Sequence, residues 1–320
     1  MKSKLCFSIL LFLPGCANAL FSDNLRWALD ASIRHNQFIT PDKTSQIYFF
    51  GLDSHKVFSN ENGDLGYSVM QFYYTRLSDQ NPYPFMFDSP DDGKVIVREA
   101  HLNYTQSKYA LPNVRIGHFT MPFGLEDSND TNGRLLDYGH SANLGTKLDW
   151  GILINKVHDT FEYKVSYTLG GKDDPKSVDG SSLVTGRFST LSHYDYIFGL
   201  SFYNGELDNI KRKRIAFDLQ YYIQTWGVKA ELAQGELDNI DESYALFEIN
   251  KHSLDDAIKM YGQYIYTDKD SLNSALQQGV FGLSYQLNTQ LEASIEYKKQ
   301  IKSTNNIKNE LFRAQIRYRY

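Results

Sequence analysis

Two short stretches contain the residue types that hydrolases use as nucleophile and base. The tripeptide 53–55 is Asp-Ser-His, and 118–120 is His-Phe-Thr. Covalent catalysis requires a base within hydrogen-bonding reach of the nucleophile. In a strand, however, the Ser54 hydroxyl would point away from the side chains on either side of it. Because the sequence also lacks a glycine-rich phosphate loop, a zinc-binding helix motif and a nucleophile elbow, we expect that the protein is not an enzyme.

The N-terminus has the features of a secretory signal peptide. A start with two lysines precedes an apolar run at 5–13 and a small-x-small cleavage site, Ala-Asn-Ala, at 17–19. We expect 1–19 to be removed and 20–320 to form a single domain. The alternative is a lipoprotein anchored at Cys16, because Leu-Pro-Gly precedes that cysteine, although proline is a poor residue at that position of a lipidation signal.

Cysteine content and net charge exclude further classes of function. The only cysteines, Cys6 and Cys16, lie in the segment expected to be cleaved. The mature chain therefore has no thiol nucleophile and no Cys-ligated metal or iron–sulfur site, and we expect no cofactor and no metal. The net charge of −5 argues against a nucleic acid as partner, since nucleic-acid binding requires a basic field.

Polar and apolar residues alternate along most of the mature chain. Between 161 and 169, for example, Phe, Tyr, Val, Tyr and Leu alternate with Glu, Lys, Ser and Thr. A strand places these two sets on opposite faces. Soluble antiparallel sheets also alternate, but they rarely keep charges on one face through so many consecutive strands. The predicted charges of the water-facing side include Lys164, Arg187, Arg214, Asp218, Lys229, Glu231, Glu292, Glu296, Arg313 and Arg317.

The alternation predicts an all-β fold, a transmembrane antiparallel β-barrel of about 16 strands, with 14 strands as the alternative. The predicted strands are 24–35, 44–57, 64–78, 94–106, 113–124, 146–156, 160–170, 183–190, 194–205, 213–224, 226–236, 243–251, 257–268, 277–287, 289–301 and 310–320. A barrel of this width is too wide for side chains to fill. The charges named above would then line a water-filled lumen.

The bulk composition agrees with a membrane barrel. The mean hydropathy is −0.45, yet the chain of 320 residues contains 23 Tyr and 20 Phe. A barrel strand exposes only every second residue to lipid, so its average stays polar while its outer face is apolar. Tight turns rich in Asn, Asp and Gly are predicted to alternate with longer connections. The tight turns are 60–63, 158–159, 192–193 and 288–289, and the long connections are 79–93, 125–145 and 172–182.

The last predicted strand contains a signal of its own. Aromatic and aliphatic residues occupy alternate positions in 310–320, and the chain ends on Tyr320. Such an ending resembles the C-terminal signal of barrels inserted by the outer-membrane assembly machinery. We therefore expect location in the bacterial outer membrane, with lipid, lipopolysaccharide and that machinery as partners.

Two segments resemble a known family. Residues 98–104 (Arg-Glu-Ala-His-Leu-Asn-Tyr) and 115–126 (Arg-Ile-Gly-His-Phe-Thr-Met-Pro-Phe-Gly-Leu-Glu) are similar, in sequence and order, to successive strands of the phosphate-selective porins O and P. The resemblance implies that 125–145 is the third extracellular loop, which in such porins folds into the lumen. It also implies a homotrimer, as wide porins often form.

The charges of this loop depart from those of the named porins, which are anion-selective and carry Arg and Lys clusters. The predicted constriction residues are Glu126, Asp127, Asp130, Arg134 and Asp137. Four of these five are acidic, so the sign of the ion selectivity stays open. Opposed acidic and basic residues create a transverse field that filters solutes. We expect a passive diffusion channel for small hydrophilic solutes or ions. The alternative is a non-conducting barrel with an adhesive or structural role, or a surface hydrolase.

Overall fold

The chain forms one closed antiparallel barrel of 16 strands. The computed structural model describes residues 24–39, 42–61, 63–77, 93–105, 111–139, 144–177, 180–191, 194–269, 275–302 and 309–320. Each strand pairs with its neighbours in sequence, and the first pairs with the last. The segment 1–19 and the predicted turn 192–193 lie outside the described residues. Among the described residues, no helix is both long and apolar enough to cross a bilayer.

The strands are β1 (Leu25–Phe38), β2 (Lys43–Asn60), β3 (Gly63–Leu77), β4 (Lys94–Tyr104), β5 (Asn113–Thr120), β6 (Leu148–Val157), β7 (Phe161–Thr168), β8 (Ser182–Thr190), β9 (Tyr196–Leu207), β10 (Ile210–Ile223), β11 (Trp226–Leu237), β12 (Ile240–His252), β13 (Ile258–Lys269), β14 (Leu276–Gln286), β15 (Leu291–Lys302) and β16 (Glu310–Arg319). The described part has one short helix, α1 (Gly124–Ser128). The prediction of 16 strands is confirmed, and the 14-strand alternative does not occur.

One strand end differs clearly from the prediction. The predicted strand 113–124 stops at Thr120, and 121–123 leave the barrel wall before α1 begins. Pro122 has no N–H to continue a ladder. Gly124 adopts a φ of +57°, which turns the chain in a direction that other residues disfavour. The prediction that this strand extends to residue 124 was therefore wrong by four residues.

Two hairpins at the loop end of the barrel are tighter than the sequence pattern indicated. The same hexapeptide, Gly-Glu-Leu-Asp-Asn-Ile, occupies 205–210 and 235–240. In each copy the Asp and the Asn both have positive φ, between 51° and 67°. Two consecutive residues of this kind form the two-residue turn whose twist matches a hairpin. The flanking strands β9, β10, β11 and β12 therefore run right up to their turns.

The two faces of the wall differ in polarity, as the alternation predicted. In β1, Ile33 is 56% exposed on the outside, whereas Arg34 next to it is 1% exposed on the inside. Large apolar side chains such as Phe50, Leu200 and Phe281 continue the exposed outer surface around the barrel. An apolar outer surface of this extent suits contact with the acyl chains of a lipid bilayer.

The barrel closes through its terminal strands. β1 and β16 pair in register from Asp30 opposite Arg319 to Phe38 opposite Leu311. Leu29 and Tyr320 exchange two backbone hydrogen bonds of 2.9 Å. The terminal aromatic residue therefore completes the ladder, and the sheet has no open edge for another chain to pair with.

Candidate functional site

The described parts of the connection between β5 and β6, residues 121–139 and 144–147, fold into the lumen. We call this connection loop L3. Its apolar side chains Met121, Phe123, Leu125 and Leu144 are each 1% exposed or less, although they belong to a connection rather than to a strand. They pack against inward-facing apolar residues of the wall, among them Leu183, Tyr203 and Leu246. Burial of this apolar surface fixes one side of L3 to the barrel.

The base of L3 is attached to the wall by backbone groups. The Gly124 amide donates to Ser201 Oγ over 3.0 Å. The Leu125 amide donates to Glu231 Oε2 over 2.8 Å. Both amides belong to the first turn of α1, where N–H groups have no partner within the helix. Glu231, predicted as a lumen residue, therefore serves as the acceptor that holds α1 in place.

A methyl group at position 124 should weaken this attachment. A Cβ there would lie 2.3 Å from Glu231 Oε2, and the φ of +57° would be strained for alanine. We expect Gly124→Ala to lower the stability of the docked loop by about 1–3 kcal/mol. Limited trypsin digestion at Arg134 measures loop release. The matched control is Gly180→Ala, because Gly180 has a φ of +80° but open space around its Cβ position. Equal trypsin sensitivity of the two variants would contradict the proposed role of the contact.

The two acidic residues of α1 are held by different cations. Glu126 contacts Lys147 and Thr131, while Asp127 accepts from Lys164 over 2.7 Å and lies 3.4 Å from Arg187. Burial raises the pKa of the Glu126 carboxyl despite Lys147. Burial alone would raise the pKa of Asp127 as well, but Lys164 and Arg187 outweigh it and lower that pKa. Asp127 therefore remains ionised and links L3 to β7 and β8.

The tip of L3 reaches the opposite side of the barrel, where β16 meets β1. Three wall side chains donate to three successive carbonyl groups of the tip. Gln315 donates to Gly133 O over 2.7 Å, Arg34 to Arg134 O over 2.9 Å, and Arg313 to Leu135 O over 2.9 Å. Because backbone carbonyl groups accept these three bonds, the bonds do not depend on the identity of the loop side chains.

The returning part of L3 crosses back to β9–β13. Tyr244 donates to the Tyr138 carbonyl over 2.7 Å, and Lys229 donates to the Tyr138 hydroxyl over 2.7 Å. Tyr203 donates to the Leu144 carbonyl over 3.1 Å. L3 is thus a strap across the lumen, bonded to the wall at both sides.

The described residues enclose two cavities beside the strap. One, of about 180 Å³, lies on the extracellular side, between L3 and the inner face of β1–β4. The other, of about 300 Å³, lies towards the periplasmic turns, next to His252, Lys259 and Glu292. Residues Arg134, Leu135 and Leu136 line both cavities. The segment 134–136, which we call the divider, therefore separates the two halves of the lumen.

The structure divides the predicted constriction residues into two groups. Glu126 and Asp127 are buried against the wall. Glu126 forms an ion pair with Lys147, and Asp127 forms ion pairs with Lys164 and Arg187. Asp137 caps the Gly139 amide over 2.9 Å at the edge of the extracellular cavity. Asp130 is 67% exposed and lies 3.9 Å from Arg98. Arg134 is the member of the set that lies at the divider.

Most of the predicted lumen residues belong to a continuous network on the inner wall. Arg187 pairs with Asp218 over 2.7 Å, and Arg313 and Arg317 pair with Glu296 and Asp30. Arg214 pairs with Glu242. Lys164, Lys229 and Glu231 hold L3, as described above, and Glu292 lines the periplasmic cavity.

Several inner-wall residues were missed by the sequence reasoning. Asp30 and Arg34 share one face of β1, and the alternation with Leu29 and Ile33 could have found them. Arg98 could not have been found in this way, because β4 and β3 are out of register between Phe72 and Gln71 and the alternation is interrupted there.

The two stretches with catalytic residue types are engaged in other contacts. Asp53 accepts from Tyr73 over 3.0 Å and from Arg319 over 2.8 Å. His55 lies beside the Tyr67 ring, with the ring centres 5.2 Å apart. His118 stacks on Trp150, and its ring nitrogens have no hydrogen-bond partner among the described residues.

Comparison with known proteins identifies the fold. No family model matches the sequence, and no curated protein matches it significantly. Solved outer-membrane barrels do match in structure. OmpT, an outer membrane protein of Vibrio cholerae in a trimer form, aligns with a TM-score of 0.68 and 12% identity over 92% of this chain and 99% of that one.

Two porins match comparably. OmpF of Salmonella typhi, in complex with daunomycin, has a TM-score of 0.68 and 12% identity over 92% of this chain and 97% of that chain. An anion-selective porin from Comamonas acidovorans has a TM-score of 0.62 and 12% identity over 92% and 99%. The chain therefore has the fold of these 16-strand outer-membrane barrels.

Proposed function

We propose that the protein is a porin, a passive diffusion channel for small hydrophilic solutes or ions. The observation that carries this proposal is the strap-like L3, which narrows the lumen and leaves a cavity on each side of the divider. A strap bonded to both walls sets a fixed pore size, whereas a barrel that serves only as an anchor does not need one. Solutes would move through this channel down their own concentration gradient.

The transported solute and the oligomeric state are part of the same proposal. The likeness of 98–104 and 115–126 to phosphate-selective porins supports a channel, but the acidic α1 gives no reason to assign phosphate as the solute. A homotrimer is supported by the trimer form of the Vibrio protein. Chemical crosslinking in outer-membrane vesicles, followed by electrophoresis, tests the trimer.

We further propose that the protein is not an enzyme, because Asp53 is engaged by Tyr73 and Arg319.

Channel activity is tested by single-channel recording in a planar bilayer. We expect discrete, long-lived conductance steps when protein purified from outer membranes is added. The reversal potential under a KCl gradient then gives the sign of the ion selectivity. The control is heat-denatured protein at the same concentration. Folded protein that inserts without any conductance would contradict the proposed function and favour a structural or adhesive barrel.

A further inference from the structure

A β-bulge directs Arg98 towards the extracellular cavity. Phe72 of β3 pairs with Val97 and Gln71 pairs with Glu99, so Arg98 is the extra residue of β4. Bulges commonly re-aim a side chain in this way. The Arg98 guanidinium lies 5.2 Å from the centre of the Tyr73 ring and lines the cavity.

The Arg98 guanidinium has unused hydrogen-bonding capacity. Its side chain is 11% exposed, and its Nη2 is buried without a hydrogen-bond partner among the described residues. The Asp130 carboxylate is 3.9 Å away but is 67% exposed, so water screens that attraction. A buried donor without a partner is unfavourable, and an oxygen of an incoming anion would satisfy it.

Arg134 provides a second cation on the path that a solute would take from the extracellular cavity to the periplasmic cavity. It lines both cavities, so it lies where a solute would pass the divider. Within the described part of the chain, its side chain forms no salt bridge. Lys259 lines the periplasmic cavity beyond it and likewise forms no salt bridge there. The route therefore presents cations in succession on both sides of the divider.

An apolar strip accompanies these cations. Phe49, Tyr73 and Ile96 face the extracellular cavity from β2, β3 and β4, and each is between 5% and 7% exposed. Leu135 and Leu136 of the divider line the same cavity. L3 covers the other apolar patch of the inner wall, whereas this strip faces the cavity, so it marks a place where an apolar group is held in preference to water.

We infer that the extracellular cavity is a binding site for organic carboxylates that carry an aromatic or alkyl body. The body lies on the strip of Phe49, Tyr73 and Ile96, and the carboxylate binds Arg98 before passing to Arg134. This inference rests on the proposed channel function. An inorganic anion would use only the arginines and a neutral solute only the strip, so neither would bind as well as a molecule with both parts.

The test uses 3-phenylpropionate as a probe in single-channel recordings of the native protein in KCl. Acetate has the charge without the body, and 3-phenylpropionamide has the body without the charge. We expect 3-phenylpropionate to interrupt the current with a half-blocking concentration about tenfold below that of either control compound. Equal potency of acetate would overturn the role of the strip, and equal potency of the amide would overturn the role of the arginines.

Variants then locate the site. We expect Arg98→Gln to raise the half-blocking concentration of 3-phenylpropionate about tenfold, while the conductance steps in KCl persist. Phe49→Ala should raise the half-blocking concentration severalfold, because this substitution weakens only the contact with the aromatic body of the probe. Arg26→Gln is the matched control, because Arg26 is an exposed residue near the start of β1. If Arg98→Gln does not fold, Arg134→Gln in the loop answers the same question.

The outcomes separate this inference from the proposed function. If conductance steps occur but 3-phenylpropionate does not block preferentially, the proposed carboxylate site is wrong and the proposed porin function stands. Block that is unchanged in both the Arg98 and the Arg134 variants would do the same. The absence of conductance in folded native protein would contradict the proposed porin function.

Discussion

Arg187→Met should lower the free energy of unfolding by about 3–5 kcal/mol, the size expected when one member of a buried ion pair is removed. Arg187 is 1% exposed and pairs with Asp218, which is fully buried, over 2.7 Å. It also lies 3.4 Å from Asp127 of L3. The substitution therefore leaves Asp218 charged and buried without its cation, and Asp127 with Lys164 alone. Urea unfolding in lipid vesicles, followed by tryptophan fluorescence, measures the change.

Two further variants test this explanation. Lys213→Met is the matched control, because Lys213 is exposed at the loop end of β10, and we expect its effect to stay within about 0.5 kcal/mol. Replacing Asp218 by Leu as well should restore much of the stability, since the uncompensated charge is then gone. If Arg187→Met alone were as stable as Lys213→Met, the Arg187 network would contribute little to the free energy of unfolding of the barrel.

The second large effect concerns the pore size. Replacing residues 132–137 with two glycines should increase the single-channel conductance about twofold or more, because the tip of L3 and the divider are removed from a barrel too wide for side chains to fill. The shortened loop can still close. Lys229 bonds to both Asn129 and Tyr138, so the two ends of the tip lie close together.

The matched control for this deletion keeps the length of the loop. Asn132→Gly combined with Asp137→Gly introduces two glycines but retains the divider and the carbonyls of Gly133, Arg134 and Leu135 that the wall holds. We expect near-native conductance from this control. Unchanged conductance in the deletion variant would mean that L3 does not limit the pore.

The sequence by itself determined the barrel. Alternation with a period of two is a local property, because adjacent side chains of a strand always point to opposite faces. Residues such as Ile33 beside Arg34, or Phe217 beside Asp218, therefore reveal the lipid-facing and lumen-facing sides without any knowledge of the neighbouring strands. The number of strands and the aromatic C-terminal strand could be predicted for the same reason, and the inward fold of L3 followed from a short family resemblance.

Only the tertiary structure decided what the individual charges do. The acidic residues Glu126 and Asp127 were expected at the constriction, but L3 brings them against Lys147 and Lys164, where they anchor the loop. The divider was not visible in the sequence either. Arg34 meets the Arg134 carbonyl across 100 residues of chain, because that contact requires both closure of the barrel and entry of L3 into it.

Arg98 shows the physical limit of the pattern most clearly. Its direction depends on a bulge in the pairing of β3 with β4, and the bulge interrupts the alternation of β4, so the period of two alone does not assign Arg98 to a face. The sequence determined which residues face water. Contacts between distant segments, which depend on strand register and on the path of L3, decided which of those residues hold the loop and which face the passage.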